Sequence, residues 1–586
     1  MSTAQNLDRS IQERVREWLT GPYDERTKAE ILKMSQGDPK LLRDAFYTNL
    51  AFGTGGLRGI MGAGTNRMNI YTVGRATQAL ANYILKQVKT GASVFIGFDS
   101  RHNSPLFAQE AARVLAANGI AVHLLDELRP TPFVSFGVRT LRCTAGIMIT
   151  ASHNPKEYNG YKVYWSDGGQ VVPPHDIGIM AEAEAIHSEG QVKRTALTHP
   201  LIEKVSHALD LNYLDTIQHL QLYPEQNQKV GHSLKIVYTP LHGTGITLVP
   251  RALKKWGFTT IHFVQEQVVP DGDFPTVKFP NPEFKETLEL GIRDLVKSQS
   301  DILIATDPDA DRVGAVVMHK GKPEILNGNQ MAAICAYAIC QALTEQKKMP
   351  SKGAIVTTIV TTELLKAIAE SFDQSCFEVL TGFKYIGEMI HLWETSKDPY
   401  HFLFGAEESY GYLYGTHSRD KDAVVSSCLI AQIALFMKIE GRTLVDLMND
   451  IYHKYGVFKE KQLSLNFNPG KEGMDRIASL MEHLRKNPPK SIAGSAVEVI
   501  EDYETKVRLF LKTGKKETLT LPHSDVLLFR LADGSKLVIR PSGTEPKIKA
   551  YAAVKKKEFK SIPDAMAECD AHLDKLLNAA KEDLLK

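Results

Sequence analysis

The sequence predicts an α/β protein of several domains with largely parallel sheets. Three observations carry that expectation. The chain has 586 residues, too many for one hydrophobic core, so roughly three to five domains follow from length alone. Short apolar runs of strand length recur, each followed by a polar loop containing Gly, Pro or Asn. Between them lie longer stretches with helical spacing, such as AQEAARVLAAN at 108–118. Strand–loop–helix alternation of this kind builds α/β domains.

At the N-terminus, Leu7, Ile11, Val15 and Leu19 recur every four residues with charges between them. This is an amphipathic helix ended by Gly21-Pro22. The strand candidates follow in order: 94–98 before DSRHNS, 145–150 before ASHNP, 234–238 before TPLHGTG, 301–306 before DPDADR, 401–404 before GAEESYG, and 536–539 before RPSGTEP. Every chemically suggestive motif stands at the carboxyl end of a strand, where α/β sheets bind ligands. The polar stretch 199–230 reads as a helical bridge. Residues 466–491, rich in Asn, Pro, Gly and Lys, read as a linker with one short helix. Strands and a closing helix at 565–585 make the end a small α+β domain. The expected division is a helical extension at 1–39, domains at 40–228, 229–330 and 331–465, and a last domain at 492–586.

Composition narrows the functional class. Hydrophobic residues make up 43%, charged residues 24%, and the net charge is +2, so no global field draws the chain to nucleic acid or membrane. Lys555-Lys556-Lys557 reads as solvated surface. The six cysteines form no CxxC pair and no zinc spacing, which suits a reducing compartment. The N-terminus lacks the apolar core of a signal peptide, and no apolar run of about 18 residues is present. A cytoplasmic protein is expected.

Four motifs carry the chemistry. In Thr150-Ala151-Ser152-His153-Asn154-Pro155 a serine follows a buried strand; by itself this is better explained by a plain turn. In Asp307-Pro308-Asp309-Ala310-Asp311-Arg312 the carboxylates fall at every second position. In an extended loop they would point to one side and repel unless a hard cation lies between them. Position six and position twelve, Arg312 and Met318, exclude an EF-hand. Arg312 offers a bidentate fork to phosphate. Gly405–Gly411 sets two acids and a serine between glycines, acceptors for sugar hydroxyls or merely an acidic loop. Arg540-Pro541-Ser542-Gly543-Thr544-Glu545-Pro546 offers a phosphate cradle or a hairpin turn. There is no GxxxxGK[ST] loop, no GxSxG elbow and no dinucleotide fingerprint.

TASHNP, DPDADR, GAEESYG and RPSGTEP together, in this order and spacing, resemble the α-D-phosphohexomutase superfamily, most closely its longer phosphoglucomutases. Phe52–Gly59, FGTGGLRG, is similar to that family's N-terminal loop, and Arg419-Asp420-Lys421-Asp422 is a further match. The resemblance runs from about residue 40 to the end. It implies three similar α/β domains and a smaller C-terminal domain around a central cleft. It implies that Ser152 carries a phosphoryl group and that Asp307, Asp309 and Asp311, with a phosphoserine oxygen, bind Mg²⁺. His153 and Lys162 would lie at the transfer site, Lys162 in the proton-transfer position, with Arg58 and Arg312 neutralising charge. Thr381, Gly382, Glu407, Ser409 and Lys421 would hold the sugar. Arg540, Ser542, Gly543 and Thr544 would hold its phosphate.

The implied reaction interconverts glucose 1-phosphate and glucose 6-phosphate through a bisphosphorylated sugar, with glucose 1,6-bisphosphate as activator. Pentose or mannose phosphate, or net synthesis of the bisphosphate, are alternatives with the same chemistry. Tyr410-Gly411-Tyr412 is where members differ. An aspartate-nucleophile phosphatase using Asp307 is a further alternative. The expected partner is a small phosphosugar; the expected assembly is a monomer or dimer.

Overall fold

The computed structural model describes residues 8–50, 56–467, 471–542 and 546–585. The chain divides into two compact units. The first comprises Met1–Gly328, Phe383–Pro399 and Ser409–Gly441; the second comprises Asn329–Gly382, Tyr400–Glu408 and Arg442–Lys586.

The first unit opens with three helices, Arg9–Thr20, Glu25–Gln36 and Pro39–Phe46. The first is amphipathic as expected, burying Ile11 and Trp18, and the Gly21 N–H closes it on Glu17 O at 2.7 Å. Leu7 lies outside the described residues. Asp24 and Asp38 cap the next two helices by accepting backbone N–H bonds, the usual task of a short acid at that position. The third helix runs across the expected boundary at 39/40. Trp18 stacks on Tyr23 at 4.3 Å, and both pack with Ile31, Leu42, Phe46 and Tyr71.

Two sheets follow in this unit. The first has the order Gly56–Ile60, Tyr158–Trp165, Ala145–Ile149, Ser93–Phe98, Ala121–Leu124, Ile202–Lys204. The second has the order Lys322–Leu326, Val313–His319, Ile302–Thr306, Ile236–Thr239, Ile261–Phe263. Both are mixed: three of the five pairings in the first sheet and two of the four in the second are parallel. Ala145–Ile149 runs antiparallel to Tyr158–Trp165, and Ile302–Thr306 antiparallel to Val313–His319. The reason lies in the loops at 150–157 and 307–312. A parallel return needs a crossover of about a dozen residues or more, and these loops are too short. Both chemically loaded motifs therefore lead into a neighbouring strand, not into a helix.

In the second unit, Ser375–Val379, Gly353–Thr358 and His401–Glu407 form a parallel set. Beside it lies a seven-strand antiparallel path in the order Val457–Asn466, Lys547–Lys556, Lys536–Pro541, Leu527–Leu531, Ser495–Asp502, Val507–Phe510, Lys516–Thr518. This sheet begins well before residue 492. The expected linker is also corrected, because Lys471–Lys486 is a helix of 16 residues. The strand Val457–Asn466 is polar and beyond its first two residues half-buried or exposed, so a search for apolar runs passes over it. It is an edge strand, paired on one side only, where such polarity is tolerated. The chain thus has three α/β domains and a sheet-rich C-terminal domain.

Within the second unit, cations of the C-terminal sheet converge on Glu363, the residue ahead of helix Leu364–Ser371. Arg530, Lys536 and Lys555 approach it at 3.0, 3.6 and 3.9 Å. Nearby Glu460 accepts from Asn329 Nδ2 at 2.7 Å, and burial pushes its carboxyl up to about 7. A raised folded pKa makes the contribution full below about 4.5 and lost as pH rises through 7. Glu460→Gln is therefore expected to match the parent at pH 5 and to be more stable by about 2 kcal/mol at pH 8. Denaturant unfolding at the two pH values measures this; a pH-independent difference contradicts it.

Candidate active site

Ser152 follows strand Ala145–Ile149 and is buried, with φ at +52°. That left-handed conformation is uncommon for serine and needs support from its surroundings. Thr150 Oγ1 accepts the Ser152 N–H at 2.8 Å. Arg101 supplies the rest. Its guanidinium donates to the carbonyls of Ser152 at 2.6 Å, Pro155 at 2.8 Å and Tyr158 at 3.1 Å, and also to that of Asn154. Asp99 faces it at 3.3 Å. The Ser152 hydroxyl lies 2.9 Å from Asp307 Oδ2 and 3.1 Å from His153 Nδ1. Burial, then the Arg312 and Arg58 guanidinium groups, hold the His153 imidazole well below its ordinary pKa, so it is neutral near pH 7.

The carboxylates converge by a tight turn, not by the alternation of an extended loop. Ala310 has φ +49°, its N–H closes on Asp307 O at 2.9 Å, and Asp307 Oδ1 accepts from the N–H groups of Asp311 and Arg312. One oxygen from each of Asp307, Asp309 and Asp311 lies within 4.8 Å of the others, and all three residues are buried. Asp309 Oδ2 accepts from Thr131 Oγ1 at 2.7 Å and Lys162 Nζ at 2.9 Å. Lys162 and Lys421 reach Asp311 Oδ2 at 3.1 and 3.2 Å. The remaining Oδ1 atoms of Asp309 and Asp311 are buried without a hydrogen-bond partner among the described residues.

Orphaned anionic oxygens are costly in a protein interior, and three oxygen donors at this spacing suit a hard divalent cation. The electrostatics agree. Burial, then Asp309 and Asp311, push Asp307 well above the carboxylate range. Burial would also raise Asp311, but Lys162, Lys421 and Arg312 outweigh it and hold it well below that range. Burial would lower the Lys162 ammonium, and Asp309 and Asp311 outweigh it and raise it.

Arg58, Arg312 and Lys421 fall around the same point. Arg58, on Gly56–Ile60, donates to Asn154 Oδ1 at 3.2 Å. Arg312 Nη1 meets Glu283 at 2.8 Å. Lys421 Nζ also contacts Asp420 Oδ1 at 3.0 Å, and Asp420 Oδ2 accepts from Tyr164 OH at 2.8 Å. Asp422 caps helix Ala423–Ile439 and accepts from Tyr213 OH at 2.6 Å. Ser409 is half-buried in the turn next to Tyr410, whose φ is +65°.

In the second unit, the Gly382 N–H donates to Glu407 Oε1 at 3.0 Å, and Thr381 Oγ1 is buried without a partner among the described residues. Arg540 is the penultimate residue of the strand Lys536–Pro541, and the Ser542 N–H closes on Lys547 O at 2.8 Å. Burial, then Glu408, push the Tyr551 phenol up to about 12, with Arg540 opposing. The two loops of this unit therefore share one electrostatic neighbourhood. Gly543, Thr544 and the run 52–55 lie outside the described residues.

Sequence reasoning missed Arg101, Thr131, Tyr164 and Asp420 as parts of the site. Arg101 stood in DSRHNS at a strand end, which was a usable signal; Thr131 gave none.

The descriptions of three domain models match in order: phosphoglucomutase/phosphomannomutase α/β/α domain I at 49–190, domain II at 212–321 and domain III at 327–455. The chain is 38% identical over 524 residues to a phosphoglucomutase of Staphylococcus haemolyticus, covering 88% of this chain and 92% of that one. The chain belongs to this family. A phosphoglucomutase of Staphylococcus aureus is 37% identical over 528 residues, covering 89% and 92%. Among solved structures, the open form of pp63/parafusin, a phosphoglucomutase from Paramecium, superposes with a TM-score of 0.66 at 18% identity, covering 91% of this chain and 96% of that one. A phosphoglucomutase/phosphomannomutase family protein from Burkholderia thailandensis gives 0.65 at 18% identity, covering 92% and 99%. Those two show the shared fold. The N-terminal helices stand ahead of the first matched segment of the family, and the C-terminal sheet follows the last.

Proposed function

We propose that this chain interconverts glucose 1-phosphate and glucose 6-phosphate, by way of a phosphorylated Ser152 and a bisphosphorylated sugar. The observation that carries the reading is the Ser152 hydroxyl, held in a left-handed turn 2.9 Å from Asp307, one of a trio of buried carboxylates. The name given to the Staphylococcus relatives supports glucose as the sugar.

In each half-reaction a sugar hydroxyl oxygen forms a bond to phosphorus as the Ser152 Oγ–P bond breaks. The hydroxyl gives up a proton and Ser152 Oγ regains one. His153 Nδ1, 3.1 Å from that oxygen, is placed to hold its proton, and Lys162 to carry one in the reverse direction. Arg58 and Arg312 offset phosphoryl charge. Asp307, Asp309 and Asp311 would hold Mg²⁺ with a phosphoryl oxygen of Ser152; when bound, the ion supplies Lewis-acid neutralisation. Thr381, Gly382, Glu407, Ser409 and Lys421 would orient the sugar. Arg540, Ser542, Gly543 and Thr544 would hold the spectator phosphate. After the first transfer the bisphosphate turns end for end, and its other phosphoryl group returns to Ser152. Glucose 1,6-bisphosphate would prime the serine. We place the enzyme in the cytoplasm, as a monomer or dimer, with domains at 40–228, 229–330 and 331–456, the third shortened from its expected end at 465 because the C-terminal domain starts at the strand Val457–Asn466.

The test is kcat/KM for glucose 1-, mannose 1- and ribose 1-phosphate, with Mg²⁺ and a trace of glucose 1,6-bisphosphate. Glucose is expected to win by about tenfold, or about 1.4 kcal/mol. A win for ribose would keep the chemistry and move the sugar to a pentose.

A further inference from the structure

Two motifs at strand ends, DSRHNS at 99–104 and TPLHGTG at 239–245, supply no reacting group to the proposed reaction. Both touch the segment 269–277. Asp271 N–H donates to His242 O at 3.0 Å, and the His242 ring meets Val269 O at 3.1 Å and Thr276 Oγ1 at 2.9 Å. The same motif backs the carboxylate loop: Thr244 N–H donates to Pro308 O at 2.7 Å, and a Cβ on Gly243 would stand 2.3 Å from Pro308 Cα. At its other side the segment reaches the nucleophile's support. The Phe274 ring covers the Arg101 guanidinium at 5.0 Å. Asp273 pairs with His102 at 3.3 Å and Lys156 at 3.1 Å. Gly272 packs on the His102 backbone so closely that a Cβ would stand 2.6 Å from its nitrogen.

Phe274 is 2% exposed and has φ +46°, a conformation that a bulky side chain adopts only when its surroundings impose it. Arg101 is the one side-chain type with enough donors in a fixed plane to hold four carbonyls at once. An aromatic face over that plane excludes water and strengthens those bonds. Resting on the reading of Ser152 as the phosphoryl carrier, we propose that Phe274 is a positioning residue for the transfer. It acts through Arg101 to lock Ser152 in register with Asp307, and segment 269–277 ties that lock to the carboxylate loop.

The experiment uses the full chain with Mg²⁺ and measures kcat per phosphorylated Ser152, counted by intact mass, together with KM and the lifetime of the phosphoserine. Phe274→Leu keeps apolar bulk and removes the ring. It is expected to lower kcat per phosphoserine by about tenfold, as sub-ångström misplacement of a nucleophile does. KM should stay within about twofold and the phosphoserine should hydrolyse faster. Asp273→Asn, at an exposed position that does not threaten folding, should shift the same quantities the same way by about two- to threefold. A Phe274→Leu protein with less active material but an unchanged kcat per phosphoserine overturns the inference. If that variant does not fold, an unchanged Asp273→Asn overturns it instead. Failure of the parent chain itself to become phosphorylated on Ser152 removes the functional reading and this inference together. A phosphorylated parent with unaffected variants removes only the inference.

Discussion

Ser152→Ala is expected to lower kcat by a factor of about 10⁴ or more, equivalent to about 5.5 kcal/mol of transition-state stabilisation, and to abolish phosphorylation of the chain. No neighbouring hydroxyl can stand in, because the loop is held by its backbone: Arg101 binds carbonyl oxygens and Thr150 binds the Ser152 N–H. For the same reason the variant should fold. It loses the side-chain hydrogen bonds to Asp307 and His153, which cost on the order of 1 kcal/mol each. Intact mass after exposure to glucose 1,6-bisphosphate, with a coupled mutase assay, reads both effects. A Ser152→Ala protein that still released inorganic phosphate would point to Asp307 as nucleophile and to a hydrolase.

The division of labour between sequence and structure follows from what each signal is made of. Apolar runs such as 145–149 and 302–306 are fully buried strands, and burial on both faces is what makes such runs visible. Their direction was not visible, since whether a loop returns through a helix or a neighbouring strand depends on length and pairing. The polar edge strand Val457–Asn466 was missed for the opposite reason: its ten pairs with Lys547–Lys556 are backbone bonds, to which side-chain patterning is blind. In the site, Asp307, Asp309 and Asp311 stood out because like charges so close need a cation. The turn that gathers them, with Ala310 left-handed, could not be read, because alanine gives no such signal. Lys162 was assigned through resemblance, and the structure adds its two carboxylate partners. Thr131 reaches Asp309 from 178 positions away in sequence, and no local pattern announces a contact of that kind.

Asp309→Asn is expected to exchange the order of stability between parent and variant when Mg²⁺ is added. Without the ion, the parent gathers three carboxyl groups whose oxygens lie within 4.8 Å of one another. At an effective dielectric constant of about 20, any two of them that are charged repel by about 3.5 kcal/mol before Lys162, Lys421 and Arg312 offset them. An amide at 309 removes one charge and keeps an oxygen for Thr131 Oγ1 and Lys162 Nζ, its present donors. The metal-free variant should therefore unfold at the same temperature as the parent or higher. With Mg²⁺ at about 100 times its dissociation constant the parent gains about 2.7 kcal/mol, and a variant that has lost one anionic ligand gains little. Its kcat should fall by about 10³, the scale on which loss of charge stabilisation at a transferring phosphoryl group is felt. Thermal unfolding of both proteins in chelator and in Mg²⁺ tests the claim without recourse to activity. Equal stabilisation of parent and variant by Mg²⁺ would mean that the ion binds elsewhere, and the three aspartates would then need another explanation for the two oxygens they leave bare.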